Sequence, residues 1–141
     1  LLFTLPGTPM MFAGEEIGAE GLWGEDSRTT FPWDRLTEWD HTTFAVYREL
    51  IALRKASEAL AEGGLRWLHA GADALAFLRE TAAERLLVLV ARSAQDEIEI
   101  ALDELAAVGV AVVSGAAAQQ QGSRLRFATT GAAFSILRLF D

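Results

Sequence analysis

A chain of 141 residues that is 51% apolar, with three prolines and no cysteine, can bury a core and excludes disulfides, thiolate metal sites and thiol nucleophiles. Twelve Lys and Arg against twenty Asp and Glu leave a net charge of −8, which repels phosphate backbones and anionic membranes and so argues against both as partners. Apolar runs break at Pro, Gly or charge well short of the roughly 20 residues a bilayer span needs, and a cysteine-free chain suits the cytoplasm, the location expected.

From Leu2 to Phe12 the chain is almost continuously apolar, interrupted by Pro6-Gly7 and Pro9. This pattern predicts a short buried strand entered through a turn. A strand buried on both faces needs neighbours for its backbone groups, so the chain reads as the tail end of a larger protein. Leu1–Phe12 is then an orphan segment, expected to be disordered or to pair with a second copy in a homo-oligomer. Leu1 in place of Met, with no basic segment before the apolar run and no small-residue cleavage site after it, excludes a secretory signal peptide as written. Ala13 to Asp40 holds five Gly or Pro residues and three of the four Trp, with neither strand nor helix periodicity. Such a long loop inside a domain is usually functional.

A helix follows. Asp40 or Thr42 can cap it, Phe44, Tyr47, Leu50, Ile51, Leu53 and Leu60 form an apolar stripe, and Gly63-Gly64 stops it. Arg48, Arg54, Lys55 and Glu58 fall largely on the opposite face. From Leu65 the pattern changes to short runs rich in β-branched and aromatic residues, some of them cleanly alternating. Seven short runs, Leu65–His69, Ala74–Arg79, Arg85–Ala91, Ile98–Leu102, Val108–Val113, Leu125–Thr129 and Phe134–Phe140, predict an antiparallel sandwich. Glu97 to Asp103 alternates cleanly, Leu86–Val90 is apolar throughout as an interior strand would be, and Gln119–Gln121 reads as a polar connection.

Nucleotide loops and the serine-hydrolase elbow are absent. His41 and His69 have no partner at ligand spacing and read as structural. Glu15-Glu16 follows the strand-like run directly, and in a barrel strand would stand at the C-terminal end, where barrel enzymes place their chemistry; the pair either acts on substrate or anchors the loop, and anchoring is the stronger reading. Arg28 can hold sugar hydroxyls or a carboxylate with its fixed fork, or bridge locally to Glu25 or Asp26. Trp23 and Trp33 can stack on sugar rings or pack the loop; Pro32 and Phe31 beside Trp33 favour packing there.

Thr4 to Gly18, then Gly24-Glu-Asp-Ser-Arg28 and Phe31-Pro-Trp-Asp34, resemble the end of the catalytic domain in the α-amylase family of glycoside hydrolases, and within it the α-glucosidase and neopullulanase-like branch. The resemblance implies a mostly β chain: an antiparallel β-sandwich over residues 65–141, preceded over 1–64 by the last strand, loop and helix of a (β/α)8 barrel. It implies a retaining parent enzyme acting on α-glucosidic linkages of malto-oligosaccharides or related α-glucans, with no cofactor. The three catalytic carboxylates of the family come from the fourth, fifth and seventh barrel strands, which lie upstream of Leu1, so this piece is expected to be inactive by itself. By the same resemblance Arg28 is a substrate contact. Gly24 stands where the neopullulanase branch usually carries a sugar-binding Asp, which leaves Asp26 as the displaced candidate. The competing reading is a non-catalytic sandwich module that binds carbohydrate or protein, against which stands the poverty of aromatics after Leu65, where Trp67 is the one Trp and Tyr is absent.

Overall fold

The period-two runs fold as strands almost where the side-chain pattern puts them. A computed structural model describes residues 1–21, 23–24, 30–116 and 118–141. It contains β1 (Gly64–Ala70), β2 (Ala74–Glu80), β3 (Arg85–Ala91), β4 (Gln95–Ala101), β5 (Gly109–Gly115), β6 (Gln119–Gln121), β7 (Arg124–Thr129) and β8 (Ala133–Phe140), preceded by helices α1 (His41–Ala56) and α2 (Glu58–Glu62). Antiparallel pairing gives a five-stranded sheet in the order β1-β2-β3-β8-β5 and a three-stranded sheet in the order β4-β7-β6.

The central strands of the five-stranded sheet, β2, β3 and β8, are buried on both faces, which explains why Leu86–Val90 does not alternate. Leu87, Leu89, Leu78, Leu137 and Leu139 point toward the smaller sheet and meet Ile98, Ile100, Leu125 and Phe127. Their neighbours Phe77, Leu86, Val88 and Ile136 point the other way, into a second core closed by Ala59 and Leu60 of α2, Leu50 and Leu53 of α1, and Leu5. Successive strand residues face opposite sides, so a strand covered on both faces carries no polar positions. Leu50, Leu53 and Leu60 of the helix stripe therefore pack on the sandwich itself, while Phe44 meets Trp39 and Tyr47 meets Phe3.

Two elements depart from the sequence pattern. The single helix expected up to Gly63 is broken at Ser57, which has extended backbone angles and caps α2 by accepting the Leu60 amide at 3.1 Å. Glu84, in the β2–β3 turn, accepts from the Ser57 hydroxyl (2.6 Å) and the Ala59 amide (3.1 Å), the latter a donor that a continuous helix would have used internally. Gln119–Gln121 is a strand at a sheet edge, not a plain connection. Gln120 explains its placement: its side chain accepts from the Val110 amide (3.3 Å) and donates to the Val108 and Gly122 carbonyls (3.1 Å each), tying the small sheet to the start of β5. The outward acids of β4 do not stand alone in water either; Glu97 and Glu99 pair with Arg126, and Glu99 with Arg124.

The expected strand at Leu2–Phe12 does not form. Residues 2–7 run through turns, with Thr4 and Leu5 amides both bonded to the Leu1 carbonyl. The start of this segment is ordered against the rest of the chain: Phe3 and Thr4 are buried, and Phe3 meets Tyr47 of α1 edge to face at 5.5 Å. The physical reason is that its carbonyls find donors without any neighbouring strand, in the guanidinium groups of Arg54 and Arg79. Met10, Met11 and Phe12 remain exposed.

Candidate functional site

The loop between the N-terminal segment and α1 is built on a tight turn. Gly14 (φ 101°) and Gly18 (φ 69°) bracket a single 3-10 turn, Glu15–Ile17, in left-handed conformations that side chains resist. Space reinforces the choice: a Cβ on Gly18 would come within 3.0 Å of the Asp40 Cβ, and one on Gly14 within 2.9 Å of the Ala19 Cβ. That close approach lets the Asp40 amide bond to the Ile17 carbonyl at 3.0 Å, so the start of the loop is fastened to its end. Ile17 is buried at this junction.

Glu15 and Glu16 serve this turn. The Glu16 carboxylate accepts the Gly14 amide at 2.9 Å, the anchoring role favoured by the sequence. Tyr47 lies near enough that burial, followed by the charges of Glu15 and Glu16, raises its phenol above its ordinary range. Asp40 ends the loop and starts the helix: one carboxylate oxygen accepts the Thr42 and Thr43 amides (2.9 and 3.0 Å) and the other accepts the Thr43 hydroxyl (2.6 Å). The Thr43 hydroxyl, then the Thr43 amide, hold its carboxyl below the usual range.

The second half of the loop is an aromatic cluster centred on Trp39, a residue the sequence reading passed over. Trp39 packs edge-on against Phe31 (5.4 Å between centroids) and Phe44 (5.5 Å), and its indole N–H donates to the Pro32 carbonyl at 3.2 Å. Its signal in the sequence was position alone, one residue before the helix cap. Trp33, expected to pack, rests one side on Phe31 at 4.3 Å but is 71% exposed; Trp39 has taken the anchoring position. Trp23 is also exposed. Both indoles thus present apolar faces with polar rims, the surface on which a sugar ring can stack. His41 bonds through Nε2 to the Leu36 carbonyl at 3.0 Å, a structural role as expected, and Arg48 lies over the Phe44 ring at 5.9 Å. Asp34, Arg35 and Glu38 form a surface ion cluster beside Trp33.

The two residues singled out for substrate, Arg28 and Asp26, lie outside the described residues. In the described part of the loop, the glycine-bracketed turn stands at its start and exposed Trp33 with its charged neighbours stands near its end. Among the described residues no group of three or more acidic or histidine side chains is placed to hold a metal ion.

No family model matches the chain. It is 36% identical over 90 residues to a cyclomaltodextrinase from a Bacillus species, an alignment covering 62% of this chain and 16% of the relative. A second cyclomaltodextrinase, from Thermoanaerobacter pseudethanolicus, is 30% identical over 96 residues, covering 68% of this chain and 17% of the relative. In fold the chain is similar to the debranching enzyme of Nostoc punctiforme, with a TM-score of 0.78 and 24% identity over 97% of this chain and 29% of that structure. The chain spans about a sixth of the length of the curated relatives it matches. Over the stretch it shares with these proteins, the chain belongs to the α-amylase family of glycoside hydrolases.

Proposed function

We propose that the chain is the C-terminal portion of a retaining hydrolase of α-glucosidic linkages in malto-oligosaccharides or related α-glucans. Residues 1–64 close the catalytic barrel and residues 65–141 form the sandwich that follows it. The loop from Ala13 to Asp40 belongs to the rim of the substrate cleft, with Arg28 and Asp26 as its sugar contacts. The observation that carries this reading is the identity to the two cyclomaltodextrinases.

The chain by itself is a structural piece and does not hydrolyse. Retaining hydrolysis needs two carboxyl groups roughly 5 Å apart across the scissile bond, one acid/base and one nucleophile. Glu15 and Glu16 are poorly suited to that work, because the Glu16 carboxylate is spent on the Gly14 amide within a glycine-bracketed turn. Purified chain incubated with maltose, maltodextrin or an aryl α-glucoside is expected to release no product above blank. Turnover by pure material would overturn this assignment. Migration in starch-containing native gels separates it from a free-standing binding module, for which strong retardation is the signature.

A further inference from the structure

Arg79, at the end of the second of the seven apolar runs, is fully buried in β2, and no ion pair joins it to a carboxylate among the described residues. A guanidinium held out of water without an anion is tolerable only when its N–H groups are used. Arg79 spends them on backbone carbonyls from two distant stretches of chain: Nη1 donates to Thr4 (2.6 Å), Nη2 to Gly63 (2.8 Å) and Nε to Gly64 (3.3 Å). Arg54, from α1, reaches the same N-terminal segment from the other side. Its Nη1 donates to Phe3 (2.8 Å) and Leu5 (3.1 Å), and its Nη2 to Gly7 (2.6 Å). The carbonyls of residues 3, 4, 5 and 7 are thus all held by two side chains.

This arrangement is conditional. With the segment undocked, the Nη1 of Arg79 loses its Thr4 acceptor and must find water in its place, inside a site built to hold the guanidinium out of solvent. The grip is on backbone oxygens, so it fixes the path of the chain, not the identity of its side chains. That path continues to the Gly14–Gly18 turn, whose Ile17 carbonyl takes the Asp40 amide.

We propose that Arg79 and Arg54 are positioning residues: together they fix the Leu1–Gly18 path against the sandwich, so that the sandwich sets where the substrate loop begins. The second half of this proposal rests on the reading of that loop as a substrate rim.

The test uses amide hydrogen exchange on the 141-residue chain, comparing wild type with Arg79→Met, Arg54→Met and Arg54→Lys. Methionine keeps much of the apolar stem while removing charge and donors. In both Met variants, exchange across residues 1–19 is expected to quicken about tenfold or more, with β3 and β8 holding within about twofold of wild type. Lysine at position 54 can serve one or two carbonyls and is expected to fall between. Unchanged exchange in residues 1–19, or an equal acceleration throughout both sheets, overturns the proposal. Should Arg79→Met fail to fold, Arg54→Met decides, since Arg54 is only half-buried and its carbonyl partners can return to water. In the full-length polypeptide, Arg54→Met is expected to raise KM for maltodextrin several-fold while leaving kcat within about twofold. An unchanged KM overturns the positioning half. Absence of α-glucan turnover in the wild-type polypeptide overturns the proposed function and that half with it, and leaves the exchange result to judge the tie alone.

Discussion

Replacing Glu84 by Gln removes one charge from the junction of three elements, and the structure sets the cost. The carboxylate side chain is 13% exposed. Oε2 accepts from the Ser57 hydroxyl at 2.6 Å and the Ala59 amide at 3.1 Å, while Oε1 accepts from Arg138 of β8 at 2.8 Å. A glutamine of the same shape offers one acceptor oxygen and one NH2, so either Arg138 or the Ala59 amide must face a donor. A hydrogen bond to a charged group contributes about 1.5–3 kcal/mol, and Arg138 is half in water and can rehydrate, so the loss should fall near about 1–2 kcal/mol. Glu84→Ala also strands the buried Ser57 hydroxyl from its acceptor and should cost about 2–4 kcal/mol. Burial pushes the Glu84 carboxyl up, but the Ser57 hydroxyl, the Ala59 amide and Arg138 together outweigh it, and the net is below the ordinary 4.5. A carboxyl depressed in the folded state contributes stability that is complete above its unfolded pKa and drains away as pH falls through the folded one. Urea melts of wild type and Glu84→Gln should therefore differ at pH near 7 and converge under acid below the ordinary carboxylate range. A gap that is absent at neutral pH, or that persists undiminished in acid, refutes the assignment of Glu84 as a charged hub.

Two-sided burial of β3 has its own test. Leu86→Ala opens a cavity toward the helices and Leu87→Ala one toward the small sheet, and each should cost about 2–5 kcal/mol in urea melts; a value under about 1 kcal/mol for either would mean that face is not packed. Gly115 (φ 86°) has no room for a side chain, since a Cβ would strike the Phe134 carbonyl oxygen and lie 2.8 Å from its ring. Gly115→Ala should lose about 2–5 kcal/mol from strain and overpacking. Gly122→Ala, where φ is 60° and nothing lies within 4 Å, should lose only about 1–2 kcal/mol, and equal losses would show that contact is not the cause. Asp40→Ala should unwind the first turn of α1, read as lost helical circular dichroism and lost amide protection at Thr42 and Thr43; wild type should show the same loss as acid titrates the depressed Asp40 carboxyl.

The sandwich was legible because period-two patterning is a local consequence of one buried face. Each of the seven short apolar runs overlaps a strand, and Leu86–Val90 declared its interior place by lacking polar positions. β6 was not legible, since Gln119–Gln121 has the composition of a connection and is held as a strand by the nonlocal bonds of Gln120. The helix break at Ser57 has the same origin: the serine is a good cap, but the choice to break depends on Glu84, 27 residues away.

The N-terminal segment shows the limit more sharply. Its apolar run carries the signature of a strand, and the resemblance of the motif to a barrel strand strengthened that expectation. Yet the signature records only that the side chains want burial. Which backbone partners satisfy the chain is decided elsewhere, here by Arg54 and Arg79, whose positions in the sequence said surface and strand end respectively. Arg54 sits on a helix face that reads as solvated, and Arg79 closes an apolar run as a charged terminus would. Neither reading can reveal a guanidinium aimed at carbonyls 49 or 75 residues away. Long cationic side chains hide their stems in apolar patterns and act at the tip; patterning locates the stem, and only tertiary structure locates the tip. The same reasoning applies to the loop, where Trp33 and Trp39 are six residues apart and alike in chemistry, yet the anchoring role that local sequence favoured for Trp33 falls to Trp39, because the indole one position before the helix cap reaches both Phe31 and Phe44 while the other does not.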